Sequence, residues 1–241
     1  MNTLNKQGRR FLVALAFAAF ALLPARAADV TPSGDDVTKV VFLGTGYPRP
    51  DPRAMGPSLA INVRGHAYIV DAGTGVVRRA AAAFERGEMA LSADNLNTVV
   101  LTHLHSDHTI GLPDLLFTPW IVGSKAPLTV VGPPASVKML DHIAQAWDED
   151  IHVRLRGGNT TGYKAMVKEI QEPGKVYQDE NVTVTAFKVK HGSWHDAFAF
   201  RFDTPDKSIV VSGDTSAVPD VMQKACNGCD ILIHEVFAAR A

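Results

Sequence analysis

The stretch VVLTHLHSDHTIGLPDL, residues 99–115, places three histidines and an aspartate directly after a run of apolar residues. Side chains two apart in an extended chain share a face, so His103, His105 and Asp107 point the same way. His108 follows where a helix begins. Crowded imidazoles repel one another once charged, whereas imidazole and carboxylate groups together bind Zn²⁺, Fe or Mn. The stretch therefore predicts a metal site at the end of a buried strand.

The overall composition is that of an ordinary globular protein with one sizeable core. Of 241 residues, 46% are hydrophobic and 20% are charged, and the formal net charge is −1. A protein that binds nucleic acid usually presents a basic face, and this near-neutral total does not indicate one. A local basic patch is compatible with such a total, so composition alone argues only weakly against a nucleic-acid partner.

The first 27 residues have the pattern of a signal peptide. A basic segment, MNTLNKQGRR, precedes the apolar run FLVALAFAAFALL, and small residues then predict cleavage after Ala27. The apolar run is short for a membrane span, which needs about 20 residues. We expect residues 28–37 to form a flexible N-terminus of a periplasmic or secreted protein that keeps no stable membrane anchor. Arg9 and Arg10 leave both the general and the twin-arginine export routes open.

The remaining chain, residues 38–241, alternates strands and helices without a linker. Strand patterns dominate early, strands and helices mix in the middle, and strands with one helix follow, which predicts sheets covered by helices. Cys226 and Cys229 are the chain's two cysteines. A disulfide and a reduced pair at a helix-to-strand junction are both open from the spacing.

Several blocks resemble one known family. THLHSDH resembles the signature of the metallo-β-lactamase-fold hydrolases. VFLGTG, YIVDAGTG, HSDHTIGLPDL, PLTVVGPP, VKHG, AFAFRFDT, VVSGDTS and CDILIHEV resemble, in order, blocks of the ribonuclease Z and arylsulfatase-like branch. The resemblance runs from about Val40 to Val236. It implies an α+β fold, the αββα sandwich, with two divalent metal ions at the sheet edges, most simply Zn, with Mn or Fe as alternatives.

The resemblance also implies a role for particular residues. His103 and His105 would bind the first metal, and Asp107 and His108 the second. A histidine that follows a strand, His191 in VKVKHG, would be the next ligand, and His195 is its rival four residues on. The aspartate of SGDT would bridge the two metals, so the implied ligands are His103, His105, Asp107, His108, His191 and Asp214.

Two residues are further candidates for catalysis. Asp107 would orient the water that the metals activate, since a bound divalent metal lowers the pKa of water from 15.7 to about 7. His234, in LIHEV, resembles a histidine near the metals that stabilises charge or protonates the leaving group. A purely structural role at a strand end is the alternative for His234. Asp71 is expected to fix the turn beneath the site.

The family pattern contains one more metal-binding histidine beyond the HE block, and this chain has none there. We therefore expect an incomplete, weakly binding second metal site in a domain that is apparently truncated at its C-terminal end. The predicted function is hydrolysis of small phosphodiesters or aryl sulfates, in a monomer or a homodimer. Export would remove the protein from cytosolic RNA. The alternatives are a ribonuclease Z-like phosphodiesterase, a lactonase or β-lactamase on the same fold, and an inactive metal-binding fragment.

Overall fold

The computed structural model describes residues 37–236. The predicted signal peptide, nearly all of the predicted flexible N-terminus and the last five residues lie outside this range. No helix within the described range is long and apolar enough to cross a membrane.

The first sheet has six strands in the order in which they occur along the chain. The first three run antiparallel to one another, and the third to the sixth are parallel. The strands are β1 (Lys39–Gly44), β2 (Ser58–Val63), β3 (His66–Val70), β4 (Thr98–Val100), β5 (Leu128–Gly132) and β6 (Ala165–Glu169).

The second sheet within the described residues has five strands, which also lie side by side in the order in which they occur along the chain. Four of them form antiparallel pairs, and the last strand adds in parallel at the edge. They are β7 (Gly174–Gln178), β8 (Thr183–His191), β9 (Trp194–Asp203), β10 (Ser208–Val211) and β11 (Ile231–Ile233).

Within residues 37–236, six helices connect the strands, with two short 3₁₀ turns, Met89–Leu91 and Ala93–Asn95. They are α1 (Val76–Phe84), α2 (Ser106–Thr109), α3 (Leu112–Ile121), α4 (Ser136–Ala146), α5 (Asp148–Leu155) and α6 (Pro219–Ala225). Four of them contribute buried residues to the cluster on one face of the first sheet: α1, α3, α4 and α5.

Successive side chains of the buried strands alternate between two apolar clusters, one on each face of the first sheet. In β3, Ile69 packs toward the helices while its neighbour Val70 packs between the two sheets, and Val99 and Val100 of β4 divide in the same way. A third cluster joins the second sheet to α6. Side chains of successive strand residues point to opposite faces, so a strand buried on both faces needs apolar residues at every position. The layers are helix, sheet, sheet and helix, which confirms the predicted αββα sandwich.

Cys226 and Cys229 are joined in a disulfide between the end of α6 and the start of β11. The structure therefore decides between the two alternatives that the spacing left open. The bridge closes a very short loop, so it ties α6 locally to the edge of the second sheet.

The two sheets meet where several strands end. The backbone N–H of Phe198, in β9, donates to the carbonyl of Thr102 at 2.9 Å, just beyond β4. Gly213 follows β10 with φ of 59°, and a Cβ there would lie 2.8 Å from Cβ of Thr102. Glycine both permits this left-handed backbone and leaves room for the close approach. The segments after β4, β8 and β10 consequently converge at one edge of the sandwich.

Candidate metal centre

His103 lies at the bottom of this edge and is fully buried. Thr102 Oγ1 donates to Asp71 Oδ2 at 2.8 Å, so it accepts from His103 Nδ1, which lies 3.0 Å away. This arrangement places the proton of neutral His103 on Nδ1 and leaves the lone pair on Nε2. Nε2 is the atom that faces the other site histidines.

Three imidazoles form the first group of possible ligands. His105 Nδ1 lies 2.9 Å from His103 Nε2 and 3.1 Å from His191 Nε2. One nitrogen from each of these three rings lies within 4.8 Å of the others. His105 begins α2 and His191 ends β8, so the two sheets each contribute to the group.

His108 and Asp71 form a buried pair beneath the centre. His108 Nδ1 lies 2.8 Å from Asp71 Oδ2, and both side chains are almost completely excluded from solvent. Asp71 also accepts the backbone N–H of Thr102 at 2.8 Å. A carboxylate behind a histidine fixes the ring orientation and makes the opposite nitrogen a better metal ligand. Asp71 was expected only to fix the turn beneath the site, and the structure shows that it also orients His108.

His108 Nε2 points into the centre and forms no hydrogen bond with the described residues around it, although it is buried. Its nearest acidic neighbours are Asp214 Oδ1 at 3.4 Å and Asp107 Oδ2 at 3.6 Å. His103, His108 and Asp214 form the second group of possible ligands, with their ligand atoms again within 4.8 Å of one another. His103 belongs to both groups.

The electrostatics of the centre favour a cation. Burial would lower the pKa of His108, but Asp71 and Asp214 outweigh it and raise that pKa to about 10. For Asp214, burial acts to raise the pKa, but His108 and the other imidazoles hold it below its usual range. Burial and the neighbouring His108 lower the pKa of His103 to about 4, so this ring keeps its lone pair at neutral pH. The acidic groups therefore attract positive charge to a place where a neutral imidazole can ligate.

The residues fit a divalent metal. The donors are imidazole nitrogens and carboxylate oxygens, which suit Zn²⁺ and also Mn or Fe. A buried polar atom without a hydrogen bond is uncommon in folded proteins and needs an explanation. Ligation at His108 Nε2 provides one, because the metal would take the place of a missing partner.

The other predicted site residues lie at different distances from these groups. Asp107 borders the second group through its contact with His108. His195 turns away: its Nδ1 lies 2.9 Å from Asp196 Oδ1 and 85% of its side chain is exposed. His234 is exposed, and its Nδ1 lies 2.9 Å from the carbonyl oxygen of Glu235. Neither His195 nor His234 belongs to the two groups of possible ligands.

Trp194 is a site residue that the sequence reasoning missed. Its ring centroid lies 4.5 Å from that of His105, with the rings steeply inclined. In the β8–β9 hairpin His191 pairs directly with Trp194. A tryptophan three residues after a candidate ligand, in HGSW, was the available indication.

Comparisons with known proteins agree with this geometry. The model of the beta-lactamase superfamily domain matches residues 66–241. The ribonuclease Z of Mycobacterium bovis is 34% identical over 205 residues, which cover 83% of this chain and 70% of that protein. A ribonuclease Z from another Mycobacterium species is 35% identical over 201 residues, covering 81% and 67% of the two chains.

Solved structures share the fold. The short form of human tRNase Z superposes with a TM-score of 0.64 and 24% identity, covering 84% of this chain and 79% of that one. A long form of RNase Z from yeast gives a TM-score of 0.61 at 15% identity, covering 88% and 34%. The matched family and the ribonuclease Z relatives confirm the resemblance from which the site residues were predicted. The chain belongs to the beta-lactamase superfamily, as a metal-dependent hydrolase of the metallo-β-lactamase fold in its ribonuclease Z branch.

Proposed function

We propose that this protein is a phosphodiesterase that uses two divalent metal ions, with zinc as the first candidate. The observation that carries the proposal is the pair of three-residue groups that share His103. In the proposed assignment, His103, His105 and His191 hold the first ion. His108, Asp107 and Asp214 hold the second, with Asp214 shared between them.

The metals would lower the pKa of a bound water and offset the charge that develops on the phosphoryl oxygens. The chain's own residues then position and move protons. Asp107, beside His108, is assigned to orient the attacking water and accept its proton. His234 is assigned to act as the acid in its imidazolium form: Nδ1–H donates to the Glu235 carbonyl, and Nε2–H would protonate the leaving oxygen. Asp71 holds His108 in place.

We propose small phosphodiesters as the substrates, and aryl sulfates as a slower class with the same geometry at sulfur. RNA is the second candidate, because the relatives that share 34–35% identity with this chain are named ribonuclease Z. The predicted signal peptide favours the small substrates, since an exported protein does not meet cytosolic RNA. We further propose that the mature protein is periplasmic or secreted and begins after Ala27. Its N-terminal residue, read from the exported protein, tests this directly.

A substrate panel tests the function. We expect protein loaded with Zn²⁺ or Mn²⁺ to hydrolyse bis(p-nitrophenyl) phosphate, and p-nitrophenyl sulfate more slowly. Chelation should abolish both rates, and a lactone and a β-lactam should remain intact. If the protein cleaves a short RNA faster than the small diester, RNA replaces small phosphodiesters as the proposed substrate. Metal-loaded protein that hydrolyses no phosphodiester would contradict the proposal.

Two variants assign the metals independently of turnover. His103 holds the first ion in this assignment and also lies beside the second group, so His103→Ala should lose the first ion and weaken the second, whereas His108→Ala should keep one ion at the three-imidazole group. Metal content after dialysis measures this. The wild type should bind one ion tightly and a second more weakly. Two equally tight ions would refute the expected difference between the sites, and equal losses in the two variants would refute the assignment of ligands.

A further inference from the structure

A cavity of about 630 Å³ opens beside the candidate metal centre. Its size is that of a pocket for a small organic molecule. The walls are mainly apolar and come from the segment after β4, from α4 and from the start of β9. The side chains that form them include Leu104, Met139, Ile143, Trp147 and Trp194.

The cavity adjoins the metal centre through two of its lining residues, Leu104 and Trp194. Leu104 lies in the chain between His103 and His105, and Trp194 packs its ring against that of His105. A group bound in the cavity would therefore contact the same tryptophan that supports a proposed ligand. A substrate whose phosphoryl group reaches the centre can place a substituent in the cavity at the same time.

The aromatic walls are held in place. Trp147 lines the cavity and is 42% exposed, and its ring centroid lies 5.7 Å from that of the buried Phe117. Trp194 is fixed against His105. The two indole rings and the thioether of Met139 line the cavity and form surfaces on which flat rings pack well.

One lysine and two histidines lie at the rim. Lys138 and His142 are on α4, and His195 precedes Asp196 on β9. Asp196 is the acidic residue at this rim, and it lies 3.2 Å from Lys188 and 2.9 Å from His195. The negative charge of Asp196 is therefore largely offset. The rim suits a ligand that is anionic at one end and apolar at the other.

We propose that this cavity binds an aromatic substituent of the substrate, so that the protein selects phosphodiesters that carry an aromatic group over those with small alkyl groups. The inference rests on the proposed phosphodiesterase function for the identity of the anionic end. The preference for an aromatic substituent is inferred from the walls of the cavity and does not depend on the reaction at the metal centre. An aromatic ring transferred from water into such walls should tighten binding on the order of ten-fold or more.

Ala146 and Gln145 offer a matched pair of variants. Ala146 lines the cavity from the end of α4 and is exposed, whereas the neighbouring Gln145 is exposed outside the cavity. Ala146→Phe would fill the cavity, and Gln145→Phe adds the same bulk to the same turn of the same helix. Both positions are at the surface, so neither variant disturbs the buried core.

The experiment compares diphenyl phosphate with dimethyl phosphate, two diesters with the same charge. Binding is followed by the fluorescence of Trp147 and Trp194, with bis(p-nitrophenyl) phosphate hydrolysis measured separately. Wild type and Gln145→Phe should bind diphenyl phosphate at least ten-fold more tightly than dimethyl phosphate. Ala146→Phe should lose about ten-fold in affinity for diphenyl phosphate and keep its affinity for dimethyl phosphate.

Three results would overturn the inference. The first is equal binding of the two diesters by the wild type, and the second is equal loss in the two variants. The third is a change of oligomeric state in Ala146→Phe with diphenyl phosphate binding unchanged, which would assign the cavity to a second copy of the chain. Absence of hydrolysis with the binding preference intact would refute the proposed function and leave the aromatic site standing.

Discussion

Asp71 Oδ2 lies 2.8 Å from His108 Nδ1, in a buried pair that joins the end of β3 to the helix carrying the histidine cluster. The same oxygen accepts the hydroxyl of Thr102, and Oδ1 accepts the Thr102 N–H. Asp71 therefore receives three donors. Through Thr102 it also fixes which nitrogen of His103 carries a proton.

We expect Asp71→Asn to weaken metal binding at His108 by 10–100-fold, the range found when such supporting carboxylates are changed. The asparagine amide must present an N–H group to at least one donor, and its neutral side chain attracts the cation less. Asparagine also tolerates the left-handed φ of 60° at this position. Competition with a metal-binding dye measures the affinity of each equivalent.

The control for Asp71→Asn is Asp94→Asn, which removes the same charge from an exposed 3₁₀ turn. It should leave both affinities unchanged. If the two variants lose affinity equally, the effect is one of net charge and not of the Asp71–His108 pair.

The choice between His191 and His195 gives a second prediction. His191→Ala should remove a donor from the three-imidazole group and lower metal content, because its Nε2 lies 3.1 Å from His105 Nδ1. His195→Ala should retain metal, since its side chain is exposed and faces Asp196. Metal analysis of the two purified variants decides the matter. The opposite pattern would reassign the ligand to His195.

The sequence predicted best those site residues that lie close together in the chain. The four side chains of residues 103–108 follow one strand and begin one helix, so regular backbone geometry alone brings them together. His191 and Asp214 lie on the other sheet, and no local rule relates them to the cluster. They were predicted through the family resemblance.

The family resemblance favoured His191 over His195 by its spacing to AFAFRF, but the directions of the two side chains depend on the register of the β8–β9 hairpin, which the sequence alone does not show. In the structure His191 pairs with Trp194, and successive residues of a strand point to opposite faces. His195 consequently points away from the site. The contacts of Asp71 and the aromatic cavity depend on packing between distant segments, which no single stretch of sequence encodes. Sheets covered by helices, in contrast, followed from the order of elements, and the αββα sandwich was implied by the family resemblance.

Gly213 provides a third prediction, because it allows Asp214 to approach the histidines. In Gly213→Ala the new Cβ would lie 2.8 Å from Cβ and 2.9 Å from Cγ2 of Thr102, on a backbone with φ of 59°. The loop must shift, so we expect loss of metal at the second group and destabilisation of about 1–3 kcal/mol.

Gly158→Ala is the matched control for Gly213→Ala. Gly158 also has positive φ, 90°, but a Cβ there would meet nothing within 4 Å. This variant should lose about 1 kcal/mol of stability from backbone strain and keep its metal. Urea denaturation measures how much backbone strain lowers stability, and metal content shows whether Asp214 has been displaced. Equal metal loss in both variants would show that Gly213 does not position Asp214.

Asp179 gives a prediction about stability and pH away from the centre. Burial would raise the pKa of Asp179, but the hydroxyl of Tyr68, at 2.7 Å, and the N–H groups of Asn181 and Val182 hold it below its usual value. A carboxyl whose pKa is lowered in the folded state stabilises the fold above its unfolded pKa of about 3.9. That stabilisation is lost as the pH falls from near 4 through the folded pKa.

We therefore expect Asp179→Asn to lower the free energy of unfolding by about 0.5–1 kcal/mol at pH 7, since the hydrogen bonds lose their charged acceptor at a side chain that is exposed and screened by water. The difference from the wild type should shrink as the pH falls below about 4, because the carboxyl protonates first in the unfolded state and then in the folded state. Urea denaturation at pH 7 and at pH 3 measures both values. A constant difference between the two pH values would show that the charge of Asp179 does not stabilise the link between β3 and the β7–β8 turn.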